Sequence, residues 1–206
     1  MQRIVIADYG MGNLRSVQKA IEKIGSRAEI SDKPEDIASA DKLILPGVGG
    51  FHDAMIELRH RFLIDPICEH IAEGYPFLGI CLGLELLFTR SHEDGLHPGL
   101  DIIPGEVVAF CKNQGLKVPH MGWNPLQISA PDCPLFQGIE NGDAVYFVHS
   151  YYSQPLHNSI TAATAAYPTP FTAAIWQDHI YATQFHPEKS QGVGLRILKN
   201  FIEKCN

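Results

Sequence analysis

Cys81 lies between two glycines in the pentapeptide GICLG (79–83), inside the apolar run 76–88. The pentapeptide has the form of the G-x-S-x-G elbow, with sulfur in place of oxygen. Such an elbow holds its nucleophile in a strained bend between a buried strand and a helix, where unpaired N–H groups and the helix dipole stabilise a thiolate. The backbone N–H of Leu82 is then free to bind an oxyanion. The pattern predicts a nucleophilic cysteine, and a small buried core cysteine is the alternative.

A cysteine nucleophile needs a base, and QFHPEKS (184–190) offers one. His186 is expected to end a strand, where Pro187 stops regular pairing and exposes the ring. Glu188 can then accept a hydrogen bond from the imidazole and set its tautomer. The alternative for this spacing is an ordinary surface turn. A zinc deaminase site is excluded because no P-C-x-x-C motif follows.

The glycine-rich segment LPGVGGF (45–51) follows a second apolar run. Its backbone N–H groups can face a developing negative charge or a phosphate. It is neither a P-loop nor a dinucleotide-binding loop, since it lacks both glycine patterns. Taken alone, it is also compatible with a tight turn between a strand and a helix.

The first half of the chain alternates segments typical of buried strands and of amphipathic helices, which favours a parallel sheet flanked by helices. The predicted strands are 3–8, 42–47 and 76–80, and the predicted helices are 13–24, capped by Asn13, 53–62, 66–73 and 82–89.

The second half contains short strand-like segments broken by Pro, Gly and Asn, which predict an antiparallel layer added to the parallel sheet. These segments are 105–111, 123–129, 144–153, 161–167, 172–177 and 179–186. An amphipathic helix over 193–205 is expected to close the chain. The prediction is an α/β fold, a mostly parallel open sheet of flavodoxin-like type, in a single domain over residues 1–206.

Composition limits the class of protein. Of 206 residues, 45% are hydrophobic and 19% charged, which is typical of a globular protein. The formal net charge of −7 argues against a general nucleic-acid binder, and no apolar run is long enough for a membrane span. Five widely spaced cysteines without a C-x-x-C pair argue against a disulfide framework or a structural zinc site and indicate a reducing, cytoplasmic location. No metal site is predicted, because no cluster has ligand spacing, and no cofactor is expected. The four cysteines without flanking glycines are expected to be structural: Cys68, Cys111, Cys133 and Cys205.

Taken together and in order, PGVG (46–49), GICLG (79–83) and HPEKS (186–190) resemble the class I, triad-type glutamine amidotransferases. Three further segments resemble the glutaminase subunits of imidazole glycerol phosphate synthases within that family: 8–17 (DYGMGNLRSV), 118–124 (VPHMGWN) and 146–152 (YFVHSYY). The similarity runs nearly end to end.

The resemblance implies hydrolysis of the substrate glutamine to glutamate and ammonia through a cysteinyl thioester. It assigns Cys81 as nucleophile, His186 as general base and acid, and Glu188 as the orienting carboxylate. The oxyanion donors it implies are the N–H of Leu82 and one from 47–49, with Val48 and Gly49 as candidates. In this family the PGVG peptide is expected to reorient before its N–H enters the hole.

The resemblance also implies binding roles. The amino-acid end of the substrate would be held by Gly49, Glu85, His149, Ser150 and Tyr151. The partner would be a (β/α)8-barrel cyclase that receives the ammonia and makes imidazole glycerol phosphate and an aminoimidazole carboxamide ribotide. The residues expected to face that partner are Asn13, Trp123, Tyr146 and Lys189.

Two positions depart from the family pattern. Glu85 stands where the family usually has Gln, so an acceptor is kept while a donor is lost. Gln191 stands where glycine is common. His120 and Met121 are expected to pack rather than react. The alternative functions are a glutaminase subunit of a paralogous amidination pathway, a stand-alone cysteine hydrolase and a catalytically silent scaffold.

Overall fold

The computed structural model describes residues 2–110 and 117–205. Cys111, expected to be structural, lies outside these residues. The helices of the described chain are α1 (Leu14–Lys23), α2 (Pro34–Ala38), α3 (Phe51–His60), α4 (Ile64–Ala72), α5 (Leu82–Glu85) and α6 (Gln191–Lys204). The strands are β1 (Ile4–Ala7), β2 (Glu29–Ser31), β3 (Lys42–Gly47), β4 (Phe77–Cys81), β5 (Phe88–Ser91), β6 (His97–Pro98), β7 (Ile103–Ala109), β8 (His120–Pro125), β9 (Gln127–Ile128), β10 (Ala144–His149), β11 (Tyr151–Pro155), β12 (Thr161–Ala166), β13 (Pro170–Gln177) and β14 (Ile180–Thr183).

The main sheet has eight strands in the order β2-β1-β3-β4-β14-β13-β12-β9. The pairings from β2 to β14 are parallel, and those from β14 to β9 are antiparallel. Every residue of β1, β3 and β4 is buried, as expected for strands covered on both faces. The α/β prediction is confirmed, with the antiparallel strands continuing the parallel sheet.

Helices cover both faces of this sheet because alternate strand residues point to opposite sides. Ile4 and Ile6 pack in one apolar cluster with buried residues of α1 and α6, while Val5 and Ala7 pack in the other with buried residues of α2, α3 and α4. The buried Lys42 ties the end of α6 to β3, since its Nζ donates to the carbonyls of Phe201 and Cys205.

Two smaller sheets stand beside the main one. β8 and β10 form an antiparallel ribbon, and β11-β7-β5-β6 form a four-stranded sheet. The predicted strand over 144–153 is therefore wrong as one element, because the chain changes sheet at Ser150. The predicted strand over 123–129 is likewise divided between β8 and β9.

The predicted helix over 82–89 is wrong beyond Glu85. The carbonyls of Leu86 and Leu87 accept hydrogen bonds from the N–H groups of Leu100 and Ile102 instead of from a following helical turn. Tertiary pairing thus outweighs local helix propensity, and the chain continues as β5.

Other boundaries also differ. β2 and α2 were not predicted, and β14 ends at Thr183, so His186 lies beyond the strand. Asn13 occupies the N-cap position of α1, but its side chain makes no capping hydrogen bond. No helix within the described residues has the length and apolarity needed to cross a membrane.

Candidate active site

The bend at Cys81 is the sharpest feature of the parallel sheet. Cys81 has φ +55° and ψ −107°, a strained conformation for a residue with a Cβ. A Cβ on Gly79 would lie 2.6 Å from the carbonyl oxygen of Gly83, and a Cβ on Gly83 would collide with the carbonyl of Leu45. The glycines are therefore required by backbone contact, and the elbow predicted from GICLG is confirmed.

The Cys81 thiol is nearly buried, with 6% of the residue exposed, and its Sγ lies 4.0 Å from the carbonyl oxygen of Val148. Burial raises the pKa of the thiol well above its ordinary value, and the nearby carboxyl groups of Glu85 and Glu188 raise it further. The Leu82 N–H lowers the pKa, but less. The expectation of a stabilised thiolate is therefore wrong for the resting site. Helix α5 is a single turn, and the desolvation of the thiol outweighs the stabilisation that its N-terminal N–H groups give to the thiolate.

His186 and Glu188 form a buried pair. Glu188 Oε1 lies 2.8 Å from Nδ1 of His186, and the two side chains are 3% and 2% exposed. Because a carboxylate only accepts, Nδ1 of His186 is the donor in this contact. The orienting contact expected from the H-P-E spacing is present. The expectation that Pro187 exposes the ring is wrong, because the His186 side chain is buried by the assembled fold. Its Nε2 has no hydrogen-bond partner among the described residues.

The turn that carries this pair is fixed to the β8–β10 ribbon. The N–H of His186 donates to the carbonyl of Tyr146 at 2.9 Å. The buried hydroxyl of Ser190 donates to the carbonyl of His186 at 2.7 Å and accepts from the N–H of Tyr146 at 2.9 Å. The base is thereby positioned by backbone on both sides of the turn.

A cavity of about 440 Å³ opens beside Cys81, within the roughly 300–1,000 Å³ typical of small-molecule sites. The predicted site residues that line it are Val48, Gly49, Cys81, Leu82, Glu85, His149, Ser150, Tyr151 and Lys189. Glu93, Pro119 and Val148 also line it and were not predicted. The candidate oxyanion residues and the candidate substrate residues therefore line the same cavity.

The loop after β3 forms one rim of the cavity. Gly47 pairs with Cys81 in the β3–β4 register, and a Cβ added to Gly47 would lie 2.8 Å from Cβ of Leu82. Val48 is 38% exposed, and Gly49 has φ +102°, a value that favours glycine. The loop thus brings the candidate donors Val48 and Gly49 to the same cavity as the Leu82 N–H.

Glu85 is the buried carboxyl of the cavity, at 5% exposure. Its Oε1 accepts a hydrogen bond from Nε2 of Gln184 at 2.7 Å. Burial raises the pKa of Glu85 to about 8. Near pH 7 the carboxyl is therefore mostly protonated, and a neutral carboxyl both donates and accepts, as an amide does.

The segment 149–151 forms the wall opposite the elbow. Nδ1 of His149 lies 2.7 Å from the carbonyl oxygen of Tyr151, and its Nε2 lies 2.9 Å from Nδ1 of His120. Both ring nitrogens of His149 are thus engaged within the protein. Ser150 and Tyr151 face the same cavity at the start of β11.

Three of the residues expected at an interface lie together on the surface. The rings of Trp123 and Tyr146 are 6.0 Å apart, and Nζ of Lys189 lies 6.0 Å from the centre of the Tyr146 ring. Trp123 is 49% exposed. Asn13 is exposed at the start of α1, and α1 packs against the turn that carries Lys189.

Within residues 2–110 and 117–205, no group of three or more His, Cys, Asp or Glu side chains is arranged to hold a metal ion. The cysteines of this part of the chain, Cys68, Cys81, Cys133 and Cys205, are all free.

Comparison with known proteins assigns the family. The model of the glutamine amidotransferase class-I family matches residues 5–205. The imidazole glycerol phosphate synthase subunit HisH of Syntrophotalea carbinolica is 60% identical over 203 residues, covering 96% of this chain and 98% of that protein. HisH of Geobacter sulfurreducens is 54% identical, covering 98% and 99%. This chain belongs to the class I glutamine amidotransferases, in the HisH group.

Solved structures agree on the fold. A crystal structure of a glutamine amidotransferase has a TM-score of 0.76 at 18% identity, covering 97% of each chain. The structure of PurLQS from Thermotoga maritima has a TM-score of 0.75 at 16% identity, covering both chains completely. At these identities the likeness shows the class I amidotransferase fold alone.

Sequence reasoning missed the residues of this amidotransferase site that arrive by long-range contact. Glu93 accepts a 2.6 Å hydrogen bond from the N–H of Phe51 at the start of α3. Gln184 reaches Glu85 across 99 positions of the chain. No local pattern marks either residue, although Gln184 stood inside the quoted segment QFHPEKS.

Proposed function

We propose that this chain is the glutaminase subunit of an imidazole glycerol phosphate synthase of histidine biosynthesis. It hydrolyses glutamine to glutamate and ammonia. The observation that carries the proposal is the strained Cys81 elbow, which lines one cavity together with Val48 and Gly49. The buried His186–Glu188 pair and the identity to HisH proteins support it.

The reaction begins with transfer of the Cys81 proton to Nε2 of His186, while sulfur attacks the carboxamide carbon of the substrate. The negative charge on the carboxamide oxygen is met by the N–H groups of Leu82 and Val48. Collapse breaks the C–N bond, the imidazolium of His186 protonates the leaving nitrogen, and ammonia departs. Glu188 stabilises the imidazolium.

The resulting thioester is hydrolysed by water. His186 removes a proton from the water, the hydroxide adds to the thioester carbon, and the same two N–H groups hold the second oxyanion. The C–S bond then breaks, the thiolate regains its proton from His186, and glutamate leaves. At the end of the cycle Cys81 and His186 carry the same protons as at the start, so these steps use no cofactor.

The resting site favours the neutral thiol, because burial raises the pKa of Cys81. We infer that ionisation awaits the substrate, because the negative charge of sulfur then passes to the carboxamide oxygen, where the oxyanion N–H groups stabilise it. A reorientation of the PGVG peptide at Val48 is a sufficient switch, since one oxyanion donor contributes roughly 10²–10³ in rate.

The amino-acid end of the substrate is proposed to lie along Gly49, Glu85, Ser150 and Tyr151. His149 supports this wall. The cavity carries the carboxyl group of Glu93 and the ammonium group of Lys189, so opposite charges are available for a dipolar amino acid. The neutral carboxyl of Glu85 can donate or accept a hydrogen bond there.

The partner is proposed to be a cyclase with a (β/α)8 barrel that docks on Trp123, Tyr146 and Lys189, with Asn13 at the edge. Ammonia would pass through the barrel to the ribonucleotide intermediate. The whole chain is proposed to act as one amidotransferase domain in the cytoplasm, where its free cysteines stay reduced.

The test is glutamine hydrolysis by this chain with and without a candidate cyclase from the same genome. The proposal expects weak turnover alone and strong turnover in the complex, lost in Cys81→Ala but kept in the matched Cys68→Ala variant. Diazo-oxo-norleucine should label Cys81. Equal turnover with and without the cyclase would instead indicate a stand-alone hydrolase, and failure to label would indicate a scaffold.

A further inference from the structure

A chain of side-chain hydrogen bonds runs through the end of the β8–β10 ribbon. Nδ2 of Asn124 lies 3.2 Å from Nε2 of His120, and Nδ1 of His120 lies 2.9 Å from Nε2 of His149. Nδ1 of His149 lies 2.7 Å from the carbonyl oxygen of Tyr151. The chain therefore connects the ribbon to the cavity wall.

Only one arrangement of protons fits these contacts. The carbonyl of Tyr151 only accepts, so His149 carries its proton on Nδ1 and accepts at Nε2. His120 must then donate from Nδ1 and accept at Nε2 from Asn124. The second amide hydrogen of Asn124 is donated to the carbonyl of Ala166 at 2.9 Å. Every donor has an acceptor only while both imidazoles are neutral.

The surroundings keep the two imidazoles neutral. His120 and His149 are 4% and 6% exposed. The ring of Tyr167 stacks on His120 at 4.0 Å, and the ring of Phe110 lies 5.1 Å from His149. Burial lowers the pKa of His120 to about 4. Burial, together with the nearby imidazoles of His120 and His186, lowers the pKa of His149 to about 3.

The pair lies between two functional surfaces. His120 and His149 face each other across the ribbon, whose opposite side carries Met121 and Trp123 at 61% and 49% exposure. Val148, the residue before His149, presents its carbonyl to the Cys81 thiol, and the residues after His149 line the cavity. A shift of His149 therefore displaces the wall that faces the nucleophile.

We propose that His120 is a positioning residue for the glutaminase reaction. Through its hydrogen bond to Nε2 of His149, it holds the segment 148–151 in register with Cys81. The inference rests on the proposed function. It gives the ribbon that carries Trp123 a direct connection to the catalytic cavity.

Packing alone does not account for a histidine pair at this place. A phenylalanine would fill the same aromatic cluster without burying two ring nitrogens. Burying an unpaired polar group is unfavourable, so the pair is tolerated only because each ring nitrogen is hydrogen-bonded. The specific contribution of His120 is the directed donor at Nδ1.

Two variants separate the donor from the ring. His120→Asn places an amide donor near the position of Nδ1 and removes the ring, whereas His120→Phe keeps the ring and removes the donor. Turnover in the presence of the cyclase should fall about tenfold in kcat/KM for H120F, since one lost hydrogen bond of about 1.4 kcal/mol is a factor of ten. H120N should stay within about threefold of the unsubstituted chain.

The proposal is overturned if H120F keeps full turnover, or if H120N loses as much as H120F. The latter result would make His120 a packing residue. Thermal unfolding of each variant shows whether it is folded before its kinetics are compared.

A second measurement does not depend on glutaminase activity. Nitrogen-15 NMR of the isolated, unsubstituted chain should show both imidazoles neutral with the proton on Nδ1 between about pH 6 and about pH 8. A proton on Nε2 of His149, or a charged ring in that range, overturns the inference even if glutamine is hydrolysed. Absence of glutaminase activity with the expected NMR signature would instead contradict only the proposed function.

Discussion

The elbow at Cys81 and the turn at His186 are held in place by different forces. At the elbow, main chain meets main chain: Gly79 approaches Gly83, and Gly83 approaches Leu45, with no room for a Cβ. At the turn, His186 is fixed by hydrogen bonds from its backbone to Tyr146 and Ser190 and from its ring to Glu188.

This difference has a consequence for substitutions. Where backbone packs directly on backbone, an added side chain cannot be accommodated, because β3 and β4 cannot move without breaking the hydrogen bonds of the sheet. Hydrogen bonds can be lost one at a time, each at a limited cost. Changes at the elbow should therefore act on folding, and changes at the turn should act mainly on activity.

The largest effect is expected for Gly83→Ala. The new Cβ would collide with the carbonyl of Leu45, so we expect a loss of more than ~3 kcal/mol of stability or failure to fold. Thermal unfolding measures it. Gly192→Ala is the matched control. Outside its own stretch of helix, no described atom lies within 4 Å of a Cβ added there, and a helix favours Ala over Gly. A folded Gly83→Ala protein with an unchanged melting temperature would contradict the account of the elbow.

Glu188→Gln should leave the fold nearly intact and reduce kcat by roughly 10²–10⁴, as expected when an imidazolium loses its carboxylate partner. The side chain is 2% exposed, and its second oxygen has no hydrogen-bond partner among the described residues, so its one hydrogen bond there is to the imidazole. Steady-state turnover of the complex measures the effect. Glu203→Gln, in an exposed pair with Lys199, is the control and should be silent.

The elbow could be predicted from the sequence, whereas the burial of the site residues could not. Gly-x-Cys-x-Gly encodes its own geometry, since only a sharp bend requires glycine on both sides. The HPE spacing likewise encodes the His186–Glu188 contact within three residues. Burial is a property of the assembled fold, so the raised pKa of Cys81 and the length of α5 were misjudged.

The cavity wall illustrates the same limit. The resemblance places His149, Ser150 and Tyr151 at the site, but the strand-like segment 144–153 gives no sign of the change of sheet at Ser150. The sequence predicts only packing for His120, whose hydrogen-bond partner His149 is 29 positions away in the chain. Residues whose role depends on non-local hydrogen bonds leave no periodic signal.

Glu85 connects the two regions, since it belongs to α5 and accepts from Gln184 on the way to the turn. Its pKa is raised to about 8 in the fold against 4.5 for a free side chain. Above about pH 4.5 the unfolded state releases a proton that the folded state retains, so this group lowers stability progressively until about pH 8. Glu85→Gln should therefore be more stable than the unsubstituted chain by a few kcal/mol at about pH 8.

The measurement is the difference in melting temperature between the two proteins at about pH 5 and about pH 8. The gain should be larger at the higher pH. Exposed Glu69→Gln should show no such trend. A constant difference at both pH values would mean that Glu85 is ionised in the fold throughout this range.

The smallest expected effect is at Gln191, whose positive φ is a backbone strain of the same kind as that at Cys81. Gln191, at the start of α6, has φ +50°, close to the value at Cys81, but its side chain is exposed. No elbow depends on it, so the strain can be relieved by glycine, which should stabilise the protein by up to ~1 kcal/mol. Gln191→Ala keeps the Cβ and should leave the melting temperature unchanged. If both variants lowered stability equally, side-chain contacts rather than backbone strain would govern this position, and the contrast with Cys81 would rest on the elbow alone.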